Sequence, residues 1–109
     1  MEKGSFVIVH LTAPKEQFWG LLHGVDATGV TLRGINMVSF EDWARQTARG
    51  GEKTMDAVLM FFPMHRVERM FLDEDMGVVP SQARRFLEIV GRSARDYFER
   101  MFDASPRVD

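Results

Sequence analysis

The sequence predicts a mainly β fold: five short strands bent strongly into a small barrel, with a short helical insertion and a C-terminal amphipathic helix. Three observations carry this. Apolar, β-branched runs of strand length recur through the first two thirds of the chain. Glycines interrupt those runs, which marks points where a strand bends or two backbones pass closely. The hydrophobic period then switches to one residue in three or four near the C-terminal end.

Each element follows in order. FVIVHL, Phe6 to Leu11, is apolar throughout and stops at Thr12-Ala13-Pro14; it reads as a strand covered on both sides. EQFWGLLHGV, Glu16 to Val25, is the second strand. Asp26-Ala27-Thr28-Gly29 is a tight turn, with Asp26 opening it and Gly29 expected at positive φ. VTLRGINMV alternates after it, so the second and third strands form a hairpin. Ser39 is positioned to cap a helix with Asp42 reaching back, anchored by Trp43 and stopped near Ala48 by Gly50-Gly51. AVLMFF, Ala57 to Phe62, is the fourth strand, and RVERMFLDE, Arg66 to Glu74, the fifth. Pro63 between them predicts a single 3₁₀ turn at a sharp angle. Ser81 then caps one continuous helix of about five turns, whose apolar stripe includes Phe86, Val90, Ala94, Tyr97, Phe98, Met101 and Phe102. The organisation is a single domain: a barrel over 1–80, its insertion at about 40–54, and a helix over 81–103 packed on the barrel or on a neighbour.

Composition narrows the function classes. The chain has 109 residues, 45% hydrophobic and 28% charged, with a formal net charge of -2. That is a globular composition with no long-range attraction to nucleic acid. There is no cysteine, so a disulfide framework and a thiolate metal site are both excluded. No apolar run approaches membrane-spanning length, and cytoplasmic localisation is the expectation. His10, His23 and His65 fall on separate elements without ligand spacing, so no metal or cofactor is expected. No nucleophile is paired with a base, and no enzymatic constellation is visible.

Gly20-Leu21-Leu22-His23-Gly24-Val25-Asp26, followed by Gly29-Val30-Thr31-Leu32, resembles the first half of the Sm-like (SH3-type) small-barrel signature. Phe62-Pro63-Met64-His65-Arg66-Val67-Glu68 is similar to its second element. The nearest flavour is the C-terminal Sm-like domain of bacterial ribosome maturation factors. The resemblance implies a five-stranded bent barrel and self-association through the fourth and fifth strands. It also implies RNA as a partner class, but the residues that hold a base in the RNA-binding branch are replaced: Gly29-Val30 stands in the asparagine region and Phe62-Pro63-Met64-His65 in place of an Arg-Gly pair.

Two functional readings follow. The first is a non-enzymatic assembly or adaptor module, homo-oligomeric, with Val58, Met60, Phe62, Met70, Phe98 and Phe102 as interface candidates. The alternative is an RNA-binding module using Arg33, Arg45, Arg49, Lys53, His65 and Arg66. A small-molecule-binding or enzymatic barrel ranks behind both.

Overall fold

The computed structural model describes residues 1–104, with side chains through Met101. It is mainly β, with five antiparallel strands in one sheet and three α-helices. The strands are β1 (Phe6–Leu11), β2 (Glu16–Asp26), β3 (Gly29–Asn36), β4 (Val58–Pro63) and β5 (Val67–Leu72). The helices are α1 (Phe40–Arg49), α2 (Gln82–Val90) and α3 (Ala94–Ala104). The sheet order is β4-β3-β2-β1-β5, so β4 and β5 are the edges. The expected closure into a barrel is corrected: one 3₁₀ turn, Met64–Arg66, joins β4 to β5, but the two strands share no ladder among the described residues.

The strand glycines mark a close backbone contact and a bulge. Gly20 and Gly34 face each other across β2 and β3. A Cβ on Gly20 would collide with the Arg33 carbonyl and Gly34 Cα, and one on Gly34 with the Trp19 carbonyl. Only hydrogen fits where the two backbones touch. Gly24 sits next to a bulge, because Leu22 pairs with Leu32 and Gly24 with Thr31, leaving His23 as the extra residue. Asp26 opens the hairpin as expected: its Oδ1 accepts from Thr28 N at 2.8 Å and Gly29 N at 3.3 Å. Gly29 is corrected. Its φ is not positive; the glycine is needed because a Cβ would strike the Phe62 carbonyl and the Phe61 ring.

The same sheet carries a core on each face. Val7, Val9, Leu11, Leu22, Val30, Leu32 and Phe62 form one, enclosed by strands alone. Trp19, Ile35, Phe40, Trp43, Phe86, Tyr97 and Phe98 form the other, where the helices cover the sheet.

Two helix expectations are corrected. Ser39 makes no capping bond, because a 3₁₀ turn over Met37–Ser39 runs directly into α1; Asn36 caps that turn, its Oδ1 accepting from Val38 N at 3.0 Å. The C-terminal helix is two helices. Gly91 adopts the left-handed conformation (φ 86°) and ends α2, its N–H donating to the Leu87 carbonyl. Ser93 then caps α3 by accepting from Asp96 N at 3.0 Å. The break turns Tyr97 and Phe98 back onto Trp43.

Candidate interaction surface

The β4 segment VLMFFP has no charged residue and, among the described residues, pairs only with β3. Its alternation separates two sets. Met60 and Phe62 turn into the strand-enclosed core. Leu59 and Phe61 turn to the other face and are each 52% exposed. Gly29 leaves room for the Phe61 ring to lie across the backbone of β3. Val58 is exposed beside them. An unguarded apolar edge strand is a template for another strand.

The opposite edge is built differently. The β5 segment VERMFL also shows Phe71 and Leu72 to solvent. However, Glu68 and Arg69 lie within it, 3.0 Å apart. Their hydrogen bond holds the Glu68 carboxyl below its usual range, and the Arg69 charge adds to this. Charges on an edge discourage indiscriminate pairing.

The interface candidates from sequence fall on different places. Val58 is exposed on the β4 edge. Met60, Phe62 and Met70 pack in the strand-enclosed core, and Phe98 is fully buried under the helices. The side chain of Phe102 lies outside the described residues. Leu59 and Phe61, which the sequence reading does not single out, are the exposed apolar pair on the other face of β4, and a strand apolar on both faces gives no periodic signal to choose between them.

The cationic candidates do not form one patch. Arg66 straps the β1–β2 turn, donating from Nε to the Thr12 carbonyl at 3.1 Å and from Nη2 to the Pro14 carbonyl at 3.0 Å and Glu16 Oε1 at 3.1 Å. Lys53 is half-buried, with Nζ 3.2 Å from Asp56 and hydrogen-bonded to the Tyr97 hydroxyl. Arg45 pairs with Glu41 one helical turn away, at 2.8 Å. Arg33 projects from β3 toward Met101, its Nη1 3.7 Å from the sulfur. Arg49 and His65 are exposed on α1 and on the turn after β4, respectively.

Two carboxylates to which the sequence reading assigns no structural role, Asp73 and Asp56, organise the helix-covered face. Asp73 Oδ2 accepts from Trp19 Nε1 at 3.0 Å, while its oxygens also take Gln82 N (2.8 Å) and Ala83 N (2.9 Å) at the start of α2. One side chain thus pins the central tryptophan and caps a helix. Asp56 Oδ1 accepts from Trp43 Nε1 at 2.9 Å and from the Tyr97 hydroxyl at 2.8 Å, tying α1 to α3. Burial works against the Asp56 charge more than any single partner works for it. The bonds from Trp43, Tyr97, Ala57 N–H and Lys53 together still hold its carboxyl below the ordinary value. Burial also pushes the Tyr97 phenol up; the Lys53 bond opposes this and Asp56 reinforces it. A phenol held neutral is a structural tie and a poor general base. Neither aspartate is visible to local capping rules, because Asp73 lies nine residues before Gln82 and Asp56 is far in sequence from Tyr97.

A polar cleft of about 470 Å³ lies at the β1–β2 turn, lined in part by His10, Lys15, Gln17, Asn36, Glu68 and Arg69. Its cations and carboxylates alternate, so it selects no one sign of ligand. Among the described residues, no three metal-binding side chains group closely enough to hold an ion, and no helix is long and apolar enough to cross a membrane.

No family model, no curated protein and no solved structure matches this chain.

Proposed function

We propose that this chain is a non-enzymatic assembly module of Sm-like fold that self-associates through an open edge of its sheet. The observation that carries the reading is the β4 edge: six residues without a charge, unpaired on one side among the described residues, with Leu59 and Phe61 half exposed. Burying such a strand against another satisfies its backbone and removes apolar surface from water together. The strand order, with β5 returning to pair with β1 after a single 3₁₀ turn, supports the Sm-like reading. So do the glycines at the contact between β2 and β3.

Sedimentation velocity over a range of concentrations tests the proposal. A species larger than one chain is expected, and a monomer throughout overturns it. Labelled oligonucleotide titration at low salt tests the RNA alternative, for which the scattered cations supply no continuous track.

A further inference from the structure

We infer that the partner of β4 is β4 of a second copy, the two strands pairing antiparallel about a two-fold axis at Met60. This rests on the self-association proposed above and assigns its register.

The phase of the ladder carries the argument. The Met64 N–H donates to the Thr28 carbonyl at 3.0 Å, continuing the register that runs from Gly29↔Pro63 to Gly34↔Val58. Residues at the same parity as Met64, namely Val58, Met60 and Phe62, therefore turn their backbone groups toward β3. Leu59, Phe61 and Pro63 turn theirs outward. The outward row is closed at both ends. Pro63 has no N–H to give, and the Ala57 N–H is already engaged by Asp56 Oδ1 at 2.8 Å. Leu59 and Phe61 remain as the residues with both donor and acceptor on the open side.

That pair matches itself. In an antiparallel pairing centred on Met60, Leu59 of each copy faces Phe61 of the other, each N–H meeting the other's carbonyl. Met60 faces Met60 between them. The side chains agree with the backbone: Leu59 and Phe61 share a face of β4, so the pairing places all of them side by side on one surface. Charge favours a second β4 over β5. The β5 edge would set Glu68 and Arg69 against an uncharged apolar strand, whereas a second β4 sets like against like.

The chain has no cysteine, so an introduced thiol reports only its own position. Facing Cα atoms in this kind of pair lie about 4.5 Å apart, within disulfide reach. Mild oxidation of Met60→Cys is therefore expected to give a covalent dimer. Met60 also packs against the strand-enclosed core, so a second measurement leaves that core untouched. Leu59→Cys protein mixed with Phe61→Cys protein should cross-link, exceeding either protein alone by about an order of magnitude, since like positions sit diagonally at about 7–8 Å. If sedimentation shows an oligomer but neither cross-link forms, the register inference is wrong and self-association stands. Cross-linking of Leu59→Cys to Arg69→Cys would assign the partner to β5 and overturn the inference. A monomer in sedimentation removes both.

Discussion

The two faces of this sheet are filled by different means. One core is closed by the strands themselves, largely with valine and leucine. The other needs α1, α2 and α3, and it is aromatic: Trp19 meets Phe6, Phe40, Trp43 and Phe98 at ring-centroid separations of 5.2 to 6.0 Å. The difference follows from reach. Strands in a bent sheet approach closely, and short branched side chains fill the space. A helix stands farther off, and large rings bridge the gap. The aromatic face also carries polar ties, Trp19–Asp73 and Trp43–Asp56–Tyr97, because indole and phenol bring donors that need partners when buried. The strand-enclosed face has no such obligation.

The comparison can be broken most severely at the position both faces share. Gly34→Val drives side-chain atoms into the Trp19 carbonyl and Gly20 Cα. A loss above about 5 kcal/mol is expected, seen as an unfolded circular dichroism spectrum. A folded Gly34→Val protein would show that the bend does not depend on this contact. Next, Phe98→Ala should cost about 3–5 kcal/mol by chemical denaturation, and Val9→Ala about 2. Both tryptophans and the single tyrosine lie on the helix-covered face. Phe98→Ala should therefore change native fluorescence and near-ultraviolet dichroism, while Val9→Ala leaves them alone. Equal spectral effects would mean that the two cores are not separable.

Asp73→Ala removes an indole partner and a helix cap together, for a loss of about 2 kcal/mol with a changed Trp19 emission. Spectrophotometric titration sharpens the picture further, since Tyr97 is the single tyrosine. Its folded pKa is raised by burial. Its contribution to stability is therefore complete below the unfolded value of about 10 and is lost as pH rises through the higher folded value. Phenolate absorbance appearing at or below pH 10 in the native protein would contradict the tie to Asp56. The smallest effect is expected at Gly24→Ala, where nothing lies within 4 Å of the new methyl. Stability should move by less than about 1 kcal/mol, in contrast to Gly34.

Much of this was readable from the chain. The strands, the Asp26–Gly29 hairpin turn, the 3₁₀ turn after Pro63 and the Gly50 helix stop appear within a residue or two of their expected places. What failed did so for physical reasons. The stripe Phe86, Val90, Ala94, Tyr97, Phe98 stays in helical period across Gly91, so periodicity hid a break that Gly91 and Ser93 together encode. Glycine content shows that a sheet bends but not how far, so an open sheet read as a closed one. Of the β4 residues that the sequence singles out, Met60 and Phe62 face the core and Val58 is exposed, because VLMFFP offers two apolar faces and no polar residue to mark the outside. Asp56 and Asp73 act over long sequence separations, beyond any local pattern.

The division between the cores also follows the order of the chain. Among the described residues every strand ends by Leu72, and the strand-enclosed core takes no residue from beyond it. Phe86, Tyr97 and Phe98 come after it. A chain ended at Leu72 would carry all that builds the strand-enclosed core but would leave Trp19 and Trp43 without Phe86, Tyr97 and Phe98, the rings that cover them.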